Sequence, residues 1–143
     1  MVGIWTEDYI NAKYHLAVAE RMLKSYGDYE DKRFLVGVIN EMARSVSGLI
    51  RAFLIRRNKL KGSAQENLRF FLKEVAPKYM DEGTKNNLFR VLEVQKAQKT
   101  SPIEFAKRGD LILLIDGKYR FLTIDRLKEL LESVKVAVGR FSE

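Results

Sequence analysis

One histidine and no cysteine occur in this chain, so thiol nucleophiles, disulfides and cysteine-ligated zinc are excluded outright. Any general base built on imidazole must be His15. It lies in Asn11-Ala12-Lys13-Tyr14-His15-Leu16-Ala17, a mid-helix setting. Asn11 and Ala19, one turn away on either side, supply neither a second metal ligand nor a carboxylate. A structural histidine is the favoured reading. The carboxylate pairs Glu7-Asp8, Asp81-Glu82 and Glu129/Glu132 read as first-turn or solvent-face charges. No glycine-rich phosphate loop is present: Val36-Gly37-Val38 and Ser47-Gly48 fall within a helical pattern and predict close helix approach. No catalytic residue, metal site or cofactor is assigned.

The charge is more informative. The net +7 divides into −2 over residues 1–30, +6 over 31–62, +2 over 63–100 and +1 over 101–143. Between Glu41 and Glu66 stand six basic residues, Arg44, Arg51, Arg56, Arg57, Lys59 and Lys61, and no acid. The plain reading is a solvated face; the functional one is a surface for phosphates or an acidic partner. Arg44 and Arg51 are seven apart on one helix face, about 10 Å along the axis, and the other four would extend the track past the helix end. Nothing in the segment offers a base-reading set, so contacts would be to the backbone.

These residues must be positioned by helices. A first helix is predicted from a cap at Thr6 or Asp8 to about Tyr26, with Ala12, Leu16, Ala19, Leu23 and Tyr26 as its seam and Gly27-Asp28 as its stop. A second, the spine, runs from about Asp31 to Asn58 on the stripe Leu35, Val38, Met42, Val46, Leu49 and Phe53. Ser63-Ala64-Gln65-Glu66 reads as a capping box opening a third helix, which Pro77 ends or kinks. Thr84 is the expected cap of a fourth, with Leu88, Val91, Leu92 and Gln95 on one face and Thr100-Ser101-Pro102 as its stop.

Leu111–Ile115, Asp116-Gly117 and Lys118–Leu122 then form a hairpin signal around a type I′ turn. Pairing across the turn places Ile112, Leu114, Tyr119 and Phe121 on one face, expected to dock on the bundle. Thr123 caps a last helix carrying Leu127, Leu130, Leu131, Val134, Val138 and Phe141. The fold class is therefore mainly α: an up-and-down bundle of four to five helices in a single domain over 1–143, with the hairpin and closing helix at about 111–141. No apolar leader precedes Thr6-Glu7-Asp8, and the longest apolar run is far short of the roughly 20 residues a membrane span needs, so the expected location is the cytoplasm.

The helices, with Tyr14-His15-Leu16-Ala17-Val18-Ala19-Glu20, Val75-Ala76-Pro77-Lys78-Tyr79 and Ser101-Pro102-Ile103-Glu104-Phe105-Ala106-Lys107-Arg108, resemble prokaryotic HEPN domains that append a hairpin and a final helix. That resemblance implies either a metal-independent ribonuclease or a partner of a minimal nucleotidyltransferase. The ribonuclease signature of the family is Arg followed after four to six residues by His. The matching region here is Arg90-Val91-Leu92-Glu93-Val94-Gln95, with Gln95 in place of the histidine. Glutamine does not titrate, so it can neither accept nor deliver the proton that phosphodiester cleavage moves.

The resemblance thus implies a HEPN-like scaffold without the ribonuclease chemistry, binding RNA, another polyanion or a nucleotidyltransferase-like protein. The alternative is a divergent ribonuclease using Arg90 in a dimer-composed site. A homodimer is expected, since Phe70 stands beside Phe71 and Ile55 lies opposite the core stripe.

Overall fold

The computed structural model describes the backbone of residues 2–100, 104–105, 111–115 and 117–142, and side chains for all of these except 2–4 and 104–105. Two long helices come first, α1 (Val2–Tyr29) and α2 (Arg33–Arg56). The next helical body is α3 (Ala64–Phe70), a π-helical turn (Phe71–Val75) and α4 (Ala76–Tyr79), followed by α5 (Glu82–Thr100). Three short strands, β1 (Glu104–Phe105), β2 (Leu111–Ile115) and β3 (Lys118–Leu122), precede α6 (Ile124–Phe141). This is the mainly α bundle, with a hairpin before the last helix, that the periodicity predicts. No described helix is long and apolar enough to cross a membrane.

The spine behaves as its stripe demands: Leu35, Val38, Met42, Val46, Leu49 and Phe53 are wholly buried. Ile39, Ala43, Ser45, Ala52 and Leu54 are buried as well, because α2 is covered by α1 on one side and by α5 and α6 on others. Two glycines let α1 approach closely. A Cβ on Gly48 would sit 3.1 Å from the Asp8 carbonyl oxygen, and one on Gly37 would sit 2.5 Å from Met22 Sδ. The buried Ser45 hydroxyl donates to the Ala12 carbonyl at 2.8 Å, so the small-residue interface carries no orphan donor.

Helix ends depart from expectation where tertiary contacts outweigh local stops. α1 begins at Val2 rather than at a cap on Thr6 or Asp8, because Trp5 and Tyr9 stack on Phe141 at 5.5 and 4.4 Å and reward the extra turn. Gly27 does not stop it. The helix runs to Tyr29, and Glu30 takes the left-handed conformation (φ 55°) while donating to the Tyr26 carbonyl. At the end of α2, Asn58 (φ 56°) makes a Schellman motif, with its own N–H on the Ile55 carbonyl and that of Lys59 on the Leu54 carbonyl.

Ser63 caps α3 by accepting from the Glu66 N–H at 3.2 Å. Pro77 sits just after a π-helical turn, in which the Ala76 N–H reaches back to the Phe71 carbonyl, and the helix ends two residues later at Tyr79. The cap of α5 is Asp81, whose carboxylate accepts from the Thr84 N–H at 2.7 Å, so Thr84 is inside the helix rather than at its boundary. α5 ends at Thr100; the stop expected at Ser101-Pro102 lies outside the described residues. Thr123 caps α6 as expected, accepting from the Arg126 N–H.

The sheet order is β1-β2-β3, all antiparallel, so β1 adds a strand that the hairpin pattern did not predict. The register pairs Ile112 with Phe121 and Leu114 with Tyr119 around Gly117 (φ 76°). Asp116 of that turn lies outside the described residues. The expected docking face is overturned. Leu111, Leu113, Ile115 and Leu122 are buried on the bundle, while Leu114, Tyr119 and Phe121 face outward. The alternation was right and its phase wrong: in an apolar run such as Leu111–Ile115 either face can serve, and the one that packs on the bundle is Leu111, Leu113 and Ile115.

Candidate functional site

A polar cleft of about 590 Å³ lies between α1, α2 and α5. Helical spacing builds each wall. Asp8, Asn11 and His15 share one face of α1; Asn40, Arg44, Ser47 and Arg51 recur every three or four residues on α2; Gln95, Gln98 and Lys99 come from the last turns of α5.

His15 is held from behind. Its Nδ1 lies 2.5 Å from Glu41 Oε2, and the other oxygen of that carboxylate accepts from Arg44 Nη1 at 3.0 Å. The side chains of His15 and Glu41 are 24% and 12% exposed, so the pair is largely shielded from water. With Nδ1 engaged, Nε2 is the ring nitrogen left for the cleft. Asp8 Oδ2 faces Arg51 Nε at 3.4 Å. Lys99 makes no ion pair with a described residue. Three cations against two carboxylates leave the wall one positive charge in excess with His15 neutral. Gln98 Oε1 is buried and receives no hydrogen bond.

Arg51 and Ser47 also line an adjoining cavity of about 340 Å³, floored by Ile50, Leu68 and Leu92 and edged by Lys61 and Asn67. The Lys61 N–H donates to Asn67 Oδ1 at 2.7 Å, and its ammonium sits 4.7 Å from the Phe70 ring centre.

The six basic residues of the cluster are therefore not one track. Arg44 and Arg51 stand together in the cleft and Lys61 at its continuation. Arg56, about 140° further round the helix than Arg51, is committed elsewhere. Its guanidinium stacks 3.8 Å from the Phe141 ring centre, and Nη1 donates to the Phe141 carbonyl at the end of α6. Arg57 donates to the Tyr79 hydroxyl at 2.6 Å, and that hydrogen bond holds the phenol below its ordinary range. Lys59 is exposed on the turn that follows α2.

Arg90 pairs with Glu93 at 3.2 Å, whereas Gln95 points from α5 into the cleft wall. Five residues of helix separate their directions by about 140°, so one chain does not bring them to a common point. Of the apolar residues singled out for self-association, Phe71 is in the core, Phe70 is half-buried beside Lys61 and Ile55 is half-buried.

Glu41, Gln98 and Lys99 were not singled out by sequence spacing, whereas Asn40 falls on the helix face of Arg44, Ser47 and Arg51 that the spacing opposite the core stripe defines. The one available signal was Glu41 itself, the sole acid between Asp31 and Glu66. Its partner lies 26 residues away, which no short-range motif encodes. Among the described residues no group of three or more His, Asp or Glu side chains is gathered as a metal site requires.

Fold and cleft together define a mainly α bundle with one polar, net-cationic groove. Compared with protein-family models, curated proteins and solved structures, the chain matches none.

Proposed function

We propose that this chain binds single-stranded nucleic acid by its backbone in the cleft between α1, α2 and α5, RNA ahead of DNA, and does not cut it. The observation that carries the reading is the convergence of Arg44, Arg51 and Lys99 on one groove, beside the amides of Asn11, Asn40 and Gln95, the Ser47 hydroxyl, the His15 ring and the Asp8 carboxylate. The three cations of that lining offer donors to phosphate oxygens. RNA is placed ahead of DNA on the HEPN resemblance alone. Within the HEPN resemblance, this is the role left to a scaffold whose Arg90 and Gln95 cannot perform the Arg–His chemistry.

Because each arginine already shares a carboxylate, affinity is modest and strongly salt-dependent. Two or three neutralised phosphates correspond to a log–log salt slope of about −1.4 to −2.1 on a single strand. Anisotropy of a labelled oligouridylate, titrated at several salt concentrations, measures it. Arg51→Glu should flatten the slope by about one unit. Reversing Lys128 and Lys135 on α6 should leave it unchanged. Binding that is undetectable at low salt, or indifferent to Arg44 and Arg51, transfers the cleft to a protein partner such as a nucleotidyltransferase-like chain.

The anchored imidazole favours one other reading. A carboxylate-oriented histidine beside arginines is also the arrangement of a metal-independent phosphodiesterase, with His15 as base. Labelled RNA incubated in chelator separates the two: cleavage that His15→Asn abolishes and ribonuclease inhibitors do not would establish the enzyme.

A further inference from the structure

The outer face of the small sheet leaves apolar side chains uncovered. Tyr119 is 73% exposed and Phe121 67%, with Leu114 beside them on the neighbouring strand. β3 is also the terminal strand in the order β1-β2-β3, and no described residue bonds its outer edge. A five-residue strand with free N–H and C=O groups along one side is a template for another strand.

The side chains of β3 decide what that strand must be. Tyr119 and Phe121 point to the outer face, while Lys118 and Arg120 alternate with them on the other side and are themselves exposed. A second copy of this chain is a poor occupant. Antiparallel pairing of two β3 strands about a two-fold centred on Arg120 sets that arginine opposite its own copy. Centring on Tyr119 sets Lys118 opposite Arg120, and centring on Phe121 avoids like charges only by pairing three of the five strand residues. Directly opposed like charges at about 5 Å destabilise a ladder. The same two cations favour carboxylates at those positions.

The geometry points to β3 as a docking edge for an extended segment of another protein in which acidic and apolar residues alternate. The backbone of the segment completes the ladder, its apolar side chains lie against Tyr119 and Phe121, and its carboxylates face Lys118 and Arg120. This surface is separate from the cleft of α1, α2 and α5, and it stands whether or not that cleft binds nucleic acid.

The test uses the full chain, isotopically labelled for amide NMR, and two blocked octapeptides, one alternating valine with glutamate and one alternating valine with lysine. The glutamate peptide should shift the amides of Lys118–Phe121 and slow their exchange with solvent; the lysine peptide should do neither. Arg120→Glu should abolish that preference, and Phe121→Ser should weaken binding tenfold or more with the helical circular dichroism unchanged. Four results would overturn the proposal: equal response to both peptides, response confined to other residues, no response at millimolar peptide, or self-association through β3 in place of peptide binding.

Discussion

The imidazole of His15 on α1 and the carboxylate of Glu41 on α2 meet at 2.5 Å, and the same carboxylate holds Arg44. One buried acid thus ties two helices together and sets the direction of a cleft arginine. Glu41→Ala leaves the shielded His15 nitrogen and Arg44 without their acceptor. It should cost about 1–3 kcal/mol in denaturant unfolding. It should also free Arg44 to contact anions, so that salt-dependent RNA affinity rises while stability falls. Unchanged stability in this variant would mean that water replaces the carboxylate at no cost.

The two glycines facing α1 make a contrasting pair. At Gly37 the obstacle to a Cβ is the flexible thioether of Met22, which can swing aside. Gly37→Ala should therefore be neutral or stabilising by up to about 1 kcal/mol through helix propensity. At Gly48 the obstacle is the Asp8 backbone carbonyl, which moves only if α1 moves. Gly48→Ala should destabilise by about 1–3 kcal/mol and disturb the cleft along with the fold. Thermal melts of the two variants are the check, and the order of their midpoints is the prediction.

The hairpin offers a direct test of which face docks. Leu113 is buried on the bundle and Phe121 stands in solvent. Leu113→Ala should cost about 2–5 kcal/mol, whereas Phe121→Ala should stay within about 0.5 kcal/mol despite removing the larger side chain. The reverse order would restore the opposite phase of the sheet.

Arg56 packs into the fold, whereas Arg51 lines the cleft of the proposed binding. Arg56→Glu removes the cation stacked on Phe141 and places a negative charge at the C-terminal end of α6. A loss of about 1–2 kcal/mol is expected. Reversing Arg51 and Arg56 together would mix the two effects, so the single Arg51 variant is the one to read for nucleic-acid affinity.

Acid should loosen two helix starts before it unfolds the core. The Arg33 side chain and N–H hold the Asp31 carboxyl down at about 2, against an ordinary value of 3.8. The Thr84 N–H lowers Asp81 in the same way. A depressed carboxyl contributes stability that is fully present above its unfolded value and is lost as pH falls through its folded value. The Arg33 and Thr84 amide resonances should therefore move as pH drops from about 4 towards 2. Asp31→Asn and Asp81→Asn should each remove the corresponding movement. Amides that stay fixed over that window would show that the caps do not depend on the charge.

What the sequence determined by itself was whatever depends on near neighbours along the chain. The stripe from Leu35 to Phe53, the Ser63 and Thr123 caps, the turn at Gly117 and the buried row of α6 all follow from spacings within a few residues. Only the tertiary structure decided the rest, because each remaining feature needs groups distant in sequence. It selected Leu111 and Leu113 over Tyr119 and Phe121 as the docking row, a choice between two faces that an apolar run leaves open. It drew Arg56 to Phe141 and Arg57 to Tyr79, dividing a basic cluster that is continuous in sequence. It also brought Glu41 to His15 across 26 residues, turning a solitary mid-helix histidine into part of a cleft wall.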